Sequence, residues 1–418
     1  MKKILRILHT SDWHIGKKLK EHERLEEFKK FFAWLEKIIV DEKIDALIVS
    51  GDIFDNRNPS IESQELYYSF LGKIAGKSCR HVVIISGNHD SAPFIDAPAE
   101  IMGRCNVHVI GRACGNEVIT LKDSDGRIGL IVCAVPFLLE KDVITEKTEE
   151  SVESVGRDNA FKAGIMKHYY KVTERAKVLQ GGSDVPVLVM GHLFLKSGVT
   201  LTEEGEHTLY VGTAITLGTD IFPDDIAYTA LGHLHSPQSV GRENIRYSGS
   251  PIAFTFGELD IPKSVSVVDF DGRNFAGVRE IPVPVFQIMK RISGDMAEIE
   301  SKITKLSDSD SELNESVWVE VTYTGSEAIR DIRERLDEIL KACPNVEVLN
   351  IVDDGKYSTA SLNTEVSEPQ TLADIEPVKM FQSVLDKSKK VAGDEDKKER
   401  LMRLYKEILN NIETGALY

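Results

Sequence analysis

The sequence predicts an α/β protein with a largely parallel sheet. Residues 1–282 alternate between short apolar runs and amphipathic stretches, the order that βαβ units produce. The runs DALIVSGD and HVVIISGNHD are apolar without alternation, as in strands covered on both faces. Between them, residues 61–76 carry apolar positions at helical spacing. A chain of 418 residues is long enough for two or three domains.

Further elements follow this pattern along the chain. A buried strand precedes HTSDWH, and residues 25–40 show a helical apolar stripe. Residues 139–180 are charged and predicted to be largely helical. Their acidic cluster is interpreted as a solvated face and consists of Glu146, Glu149, Glu150 and Glu153. VPVLVMGH and IAYTALGHLH are two more predicted strands. We therefore expect residues 1–282 to form one domain.

The composition changes near residue 283. Residues 283–355 read as strand, helix, strand, helix, strand, which predicts a small second domain. Residues 356–370 are polar without periodicity and are interpreted as a linker. Residues 371–418 carry two helical apolar stripes, one through Val378, Phe381 and Leu385, the other through Leu401, Leu404 or Tyr405, Ile408 and Ile412. These stripes either fold back on the chain itself or occupy a groove on a partner.

Charge and cysteine usage limit the functional classes. The net charge of −16 and the pI of about 5.3 argue against a whole surface that holds nucleic acid by charge alone, and leave open local basic strips or a basic partner. The five cysteines are scattered without CxxC spacing, and the N-terminus lacks the features of a secretory leader, so we expect a reducing cytoplasm. No run approaches the roughly 18 apolar residues of a membrane span.

Five predicted strands each end in side chains of the kind that bind metals. In extended geometry, positions i and i+2 point to the same side, so the first pair is expected to close on one object. Glycine directly precedes the polar residues in four of the five segments, where it tolerates sharp turns and close approach. The carboxyl ends of parallel strands form the binding edge of such a sheet. The residues are Asp12 and His14, Asp52, Asn88 and His89, His192, and His233 and His235.

The donor types indicate a particular chemistry. Nitrogen and oxygen ligands without thiolate suit Mn²⁺, Fe²⁺ or Zn²⁺, and the oxygen donors favour Mn²⁺. The set is too large for one ion and suits two, which together clamp the attacking and departing oxygens of an in-line displacement at phosphorus. The chemistry predicted is hydrolysis of a phosphate ester. The remaining histidines lack this context and are interpreted as structural or surface residues: His9, His22, His81, His108, His168 and His207.

The order D-x-H, GDxxD, GNHD, GH, GHxH resembles the calcineurin-like metallophosphoesterase pattern. More narrowly, HTSDWHIGK, SGDIFDNRNPS, ISGNHDS, ALGHLHSPQ and YSGSPIAFTFGE resemble the nuclease-subunit family of bacterial SbcCD complexes, counterparts of the archaeal and eukaryotic double-strand-break repair nucleases. These motifs lie within residues 7–258; beyond them the resemblance is architectural. It implies a four-layer α-β-β-α sandwich core, a small α/β capping domain beside the active site, and a C-terminal helical tail.

The resemblance also implies residue roles. One metal would be held by Asp12, His14 and His235 and the other by Asn88, His192 and His233, with Asp52 bridging both. His89 would contact the phosphate and either stabilise charge or protonate the leaving 3′ or 5′ oxygen, since the ordinary pKa of histidine lies near neutrality. Asp90 would orient His89. The ions would be Mn²⁺, with Fe²⁺, Zn²⁺ or Mg²⁺ as alternatives.

The activity implied is that of a Mn²⁺-dependent DNA nuclease, a double-strand exonuclease and single-strand or hairpin endonuclease in DNA repair, recombination and replication. The tail would dock on an SbcC-type ATPase. Residues 25–40 and 61–76 would form a homodimer, giving a heterotetramer with the ATPase. One alternative is a phosphatase or cyclic-nucleotide phosphodiesterase, although GDIFDNRNPS lacks the GDxxDRG of serine/threonine phosphatases. The other alternative is a non-catalytic scaffold of the same fold. Such a protein would be expected to lose metal ligands, but every ligand position of the pattern is filled in this sequence.

Overall fold

A computed structural model describes residues 5–144, 156–195, 217–308, 316–325 and 329–353, together with residues 398, 400–402 and 405. The chain divides into two compact units, Met1–Val352 and Asp353–Tyr418. The predicted linker 356–370, the acidic cluster 146–153 and His207 lie outside the described residues. Of the predicted tail, 371–418, Leu401 and Tyr405 are in helical conformation, and the other positions of its two stripes also lie outside the described residues.

The first sheet contains six strands in the order β12-β11-β1-β2-β3-β4. Its parallel half consists of β1 (Leu5–Thr10), β2 (Ala46–Ser50), β3 (His81–Ile85) and β4 (Val107–Ile110). Antiparallel β11 (Ser264–Asp271) and β12 (Asn274–Pro282) extend it beyond β1. The crossovers are α1 (Leu25–Asp41), α2 (Ile61–Ile74), and the short helices α3 (Ala92–Asp96) and α4 (Ala99–Gly103). The predicted βαβ units are therefore confirmed.

The second sheet has the order β5-β6-β7-β8-β10-β9. Its strands are β5 (Val118–Lys122), β6 (Ile128–Ala134), β7 (Val187–His192), β8 (Tyr228–Gly232), β9 (Gln238–Val240) and β10 (Arg242–Tyr247). A short helix, α5 (Glu140–Val143), and the long α6 (Arg157–Gln180) lie between β6 and β7 in sequence. Helix α6 packs on the outer face of this sheet through Phe161, Ile165 and Tyr169. Within the described part of the chain, no helix is long and apolar enough to cross a membrane.

The two sheets pack face to face around a shared core. Neighbouring residues of one strand belong to different apolar clusters. Ile48 and Met190 both belong to the cluster between the sheets, whereas Leu47 belongs to the cluster under α1 and α2. Adjacent residues of β6 in the second sheet also face opposite sides: Val132 faces the inter-sheet core and Cys133 faces α6. Alternation of side chains across a strand explains why both faces are apolar. The predicted four-layer α-β-β-α sandwich is confirmed.

A smaller three-stranded sheet follows the sandwich. Its strands, in the order β13-β14-β15, are β13 (Met289–Gly294), β14 (Val317–Tyr323) and β15 (Val346–Asp353). The helices α7 (Met296–Asp308) and α8 (Ile329–Ala342) connect them in sequence. The five predicted elements are present in the predicted order. We refer to residues 283–353 as the capping domain. It contacts the sandwich through an apolar cluster in which Met289 and Trp318 meet Leu19 and Phe256.

Candidate metal centre

The five polar segments come from both sheets. Strands β1, β2 and β3 of the first sheet and β7 and β8 of the second place them at one end of the sandwich. The loops after β1 and β2 run side by side, because Asp12 N donates to Gly51 O at 3.0 Å and His14 N donates to Asp52 O at 2.9 Å. All eight predicted site residues lie at this edge and belong to one connected set of contacts.

The backbone of the ligand segments is not extended. Strand β1 ends at Thr10, and Asp12 and His14 have φ angles of 50° and 45°. Asp52 and His233 also have positive φ, at 49° and 103°. This conformation is uncommon for residues other than glycine and is found where surrounding structure imposes it. The prediction that Asp12 and His14 share a side because they lie on an extended strand is wrong in its geometry, although both side chains do reach one site.

Close approach of the strand ends, within one sheet and between the two sheets, explains two of the glycines better than backbone conformation does. Gly51 has a φ of +86°, as expected for a sharp turn. Gly87 and Gly232 have ordinary φ angles, but a Cβ at Gly87 would collide with the Asp52 carboxylate, and one at Gly232 would collide with Ser50 O. These glycines therefore allow the ligand loops to come together.

The first group of donors comprises Asp12, His14 and His235. One ligand atom from each lies within 4.8 Å of the others. The Nε2 atoms of His14 and His235 are 3.3 Å apart, and Asp52 Oδ2 lies 3.5 Å from His14 Nε2. Two ring nitrogens and two carboxylates directed at one point form a suitable environment for a divalent cation.

The second group lies beside the first. His192 Nε2 is 3.0 Å from Asn88 Oδ1 and 3.3 Å from Asp52 Oδ2. His233 Nδ1 is 3.2 Å from the same Asn88 oxygen. The other ring nitrogen of His192 is 2.9 Å from the Ser50 carbonyl oxygen, which leaves Nε2 free for the site. Asp52 Oδ2 thus lies between the two groups, within reach of His14 and His192.

Burial and charge set the ionisation of this centre. Burial opposes the charge on Asp52, but His192 and His14 outweigh it and hold the pKa of this carboxyl far below its usual range. Burial likewise opposes the charge on His192, yet Asp52 raises the pKa of this imidazole to about 9. The pKa of Asp12 is raised to about 6 by burial. The centre thus holds a carboxylate that stays charged although it is buried, and such a group marks a place where a cation fits.

His89 lies at the same centre but has a different set of contacts. Its backbone N donates to Asp52 Oδ1 at 2.9 Å, and its Nδ1 is 2.8 Å from the Asp55 carbonyl oxygen. Its ring packs edge-on to His14, with centroids 4.7 Å apart. His14, Asp52 and His89 also satisfy the distances of a three-donor metal group. The geometry alone therefore offers His89 as a ligand as well, and its role as a non-ligand stays a prediction.

Comparison with known proteins places the chain in a family. Residues 5–237 match the calcineurin-like phosphoesterase family model, and residues 285–389 match the model described as type 5 capsule protein repressor C-terminal domain. The chain is 30% identical over 409 residues to the SbcD subunit of the SbcCD nuclease of Escherichia coli (strain K12), covering 98% of both chains. The chain belongs to the SbcD family of calcineurin-like phosphoesterases. The SbcD protein of Rhodobacter capsulatus is 32% identical, covering 81% of this chain and 85% of that one. The Bacillus subtilis SbcD protein is 33% identical over 267 residues, covering 63% and 66%.

Membership in the SbcD family and the donor set together identify the chain as a metal-dependent hydrolase of phosphodiester bonds. The donors fit divalent ions because they are carboxylate, amide and imidazole groups without thiolate. Cys79, Cys133 and Cys343 are buried in apolar clusters, so they do not contribute to this centre.

Asp90 contacts the backbone around the His89 ring, so its predicted role in orienting His89 is indirect and stays a prediction. Its carboxylate accepts from the backbone N–H groups of Gly87, Ile53 and Phe54 at 2.8, 3.1 and 3.0 Å. The Nδ1 atom of His89 is held instead by the Asp55 carbonyl. Asp90 therefore shapes the loop that carries this carbonyl and does not bind the His89 ring directly, because its oxygens are used by the two loop backbones.

Several contributors to this SbcD-family site were not predicted. The Ser11 hydroxyl donates to the Asp12 carboxylate and lies 2.7 Å from Ser248 Oγ. Glu258 Oε1 lies 3.3 Å from His235 Nδ1. Ser248 and Glu258 both belong to YSGSPIAFTFGE, so the family resemblance marked this segment but assigned no role in it. Asp55, the last residue of the GDxxD motif, was also assigned no role from the sequence, although its carbonyl holds the His89 ring.

Most of the histidines predicted to be structural have contacts outside the centre. His9 Nδ1 lies 3.0 Å from Tyr228 OH, His81 Nε2 lies 2.8 Å from Lys122 O, and His168 Nε2 lies 3.1 Å from Glu117 Oε1. The His22 ring packs on Trp318. These contacts agree with structural roles.

Proposed function

We propose that this SbcD-family chain is a Mn²⁺-dependent DNA nuclease that acts as a double-strand exonuclease and as an endonuclease on single strands and hairpins. The observation that carries the proposal is the position of Asp52, whose Oδ2 lies 3.5 Å from His14 Nε2 and 3.3 Å from His192 Nε2. One carboxylate shared by two donor groups suits a pair of ions and phosphodiester hydrolysis.

In this proposal each ion has its own ligands. Asp12, His14 and His235 would hold the first and Asn88, His192 and His233 the second, and both would share Asp52. When bound, the ions supply Lewis-acid activation of water and neutralise charge at phosphorus. Mn²⁺ is the favoured ion, because oxygen and imidazole donors occur together and no thiolate is present to favour a softer metal. Fe²⁺, Zn²⁺ and Mg²⁺ are the competitors to test.

His89 is proposed as the catalytic residue. The Asp55 carbonyl oxygen can only accept, so the hydrogen bond at 2.8 Å places the ring proton on Nδ1. Nε2 is then the atom that interacts with the scissile phosphate and, when protonated, gives its proton to the leaving oxygen. The backbone hydrogen bond from His89 N to Asp52 Oδ1 holds this group in register with the shared ligand.

Partners are proposed on separate grounds. The relatives are named as subunits of a nuclease complex, and we infer that this chain acts with an SbcC-type ATPase through its tail, residues 371–418, in the cytoplasm. With a net charge of −16, the chain gains DNA-binding surface from such a partner.

A homodimer through α1 and α2 is proposed as well. This face has a cleft of about 450 Å³ lined by Leu25 and Leu66, by the buried Phe32 and Phe70, and by charged side chains such as Lys29 and Glu65. A cleft with apolar and oppositely charged side chains between two adjacent helices suits a self-complementary contact, which with the ATPase gives a heterotetramer.

The test is cleavage of a labelled duplex with a hairpin end by the purified chain and Mn²⁺. A matched His89→Ala preparation excludes contaminating nucleases, and bis-p-nitrophenyl phosphate is a small-substrate control. We expect DNA cleavage that disappears in the variant. Cleavage of the small diester with no attack on DNA, even after an SbcC-type ATPase is added, would favour a cyclic-nucleotide phosphodiesterase. Two bound ions with no activity on either substrate would favour a scaffold.

A further inference from the structure

A buried carboxylate lies behind one of the ligand histidines. Glu258 is 8% exposed and belongs to the short 3₁₀ helix Phe256–Asp260. Its Oε1 atom is 3.3 Å from His235 Nδ1, while His235 Nε2 points the other way, toward His14 Nε2. The His235 imidazole therefore lies between the Glu258 carboxylate and the other donors of the first group. Carboxylates in this position fix the tautomer and rotation of a metal-binding histidine and increase its basicity.

The second oxygen of Glu258 is fully engaged. Oε2 accepts from Lys263 Nζ at 2.6 Å and from Phe254 N at 3.1 Å. Lys263 Nζ also donates to Ser250 Oγ at 2.8 Å and to His235 O at 3.3 Å. The lysine thus links the carboxylate to the backbone of the same histidine, and both charged side chains are about 10% exposed. One ion pair therefore holds both the ring of His235, through Glu258, and its backbone, through Lys263.

The helix that carries Glu258 is anchored by packing. Phe256 lies in the apolar cluster with Leu19, Met289 and Trp318, the cluster that joins the capping domain to the sandwich. At its other end, Asp260 forms an ion pair with Arg291 of β13. A positioning group acts only when its own support is rigid, and these contacts supply that support.

We propose that Glu258 is a positioning residue for the first metal site, which it maintains by orienting His235 and by keeping the Nδ1 proton on the side away from the metal. The inference rests on the proposed metal-binding role of His235. It adds a residue outside the ligand set and predicts an effect on one of two sites.

The test is calorimetric titration of the metal-free full chain with Mn²⁺. Glu258→Gln keeps the size of the side chain and removes its charge, and we expect a loss of ~10–100-fold in affinity at one of two sites with the other unchanged. Glu27→Gln is the matched control. Glu27 is also 8% exposed and is ion-paired with Arg24 at 2.6 Å at the start of α1. This control should bind both ions with wild-type affinity.

Leaving Lys263 without its carboxylate could unfold the chain, so a double variant, Glu258→Gln with Lys263→Met, removes both charges. It should melt near the wild-type temperature and still show the affinity loss at one site. Unchanged affinity at both sites in a folded Glu258 variant, or an equal loss in Glu27→Gln, would overturn the inference. Failure of the proposed nuclease activity would look different, since the wild type would then bind two ions and leave DNA intact.

Discussion

The Nδ1 atom of His89 lies 2.8 Å from the carbonyl oxygen of Asp55. This carbonyl belongs to the loop after β2, whose N–H groups at Ile53 and Phe54 are held by Asp90. The loop of one motif thus sets the tautomer of a histidine in the next and leaves its Nε2 atom free of this hydrogen bond.

Replacing His89 should separate chemistry from metal binding. We expect His89→Ala to lower the turnover of DNA by ~10²–10⁴-fold, because it removes a general acid, while two Mn²⁺ ions still bind. Single-turnover cleavage and calorimetry on the same preparation measure the two properties. Loss of an ion in this variant would reassign His89 as a ligand.

Asp52 should be the most sensitive position for metal content. Asp52→Ala removes the carboxylate between the two donor groups, so both ions should be affected, whereas His233→Ala removes one donor from one group. Metal analysis of the two variants after identical dialysis tests this expectation. Equal metal content in the two would contradict a shared role for Asp52.

Trp13, between Asp12 and His14, should be important for stability. Its ring is fully buried and packs edge-on to Phe32 and Phe70, with centroids 5.0 and 5.8 Å away. Trp13→Ala should lower the free energy of unfolding by ~3–5 kcal/mol, since it leaves a large cavity beneath the ligand loop. Denaturant unfolding of the metal-free chain measures this. Trp13→Phe is the control, and a loss as large as that of the alanine variant would argue against cavity formation.

Burial of His9 should make the fold sensitive to acid. Its pKa is lowered to about 3 by burial, with a further contribution from the charge of Arg246. In the unfolded chain His9 binds a proton near pH 6.5, whereas in the folded chain it does so only near pH 3. The contribution of neutral His9 to the free energy of unfolding is therefore fully present above pH 6.5 and is lost as the pH falls toward 3. The slope of unfolding free energy between about pH 5.5 and 4 should be smaller in His9→Gln by up to ~1.4 kcal/mol per pH unit. Identical slopes would contradict the assignment.

Removal of residues 371–418 should affect assembly alone. We expect the shortened chain to keep its melting temperature and metal content and to lose association with an SbcC-type ATPase in size-exclusion chromatography. A large fall in the melting temperature would instead favour the alternative that the tail stripes pack on the chain itself.

The local sequence was sufficient for the elements and for the donors that meet at the candidate metal centre. Uninterrupted apolar runs such as ALIVS predicted strands covered on both faces, and β2 is buried along its whole length. Helical stripes predicted α1, α2 and the helices of the capping domain, because side-chain periodicity depends on the backbone alone. The candidate metal ligands were identifiable since most of them follow glycine at strand ends, and the family resemblance then separated His89 from the others as a prediction.

Tertiary structure decided what periodicity cannot encode. Strand order places Asp12, Asp52 and Asn88 on one sheet and His192 and His233 on the other, so the centre forms only when the two sheets stack. The left-handed backbone of the ligand residues, the use of Asp90 by backbone amides and the contact of Glu258 with His235 all depend on segments far apart in the chain. Such long-range contacts are set by packing, which no local pattern of residues contains.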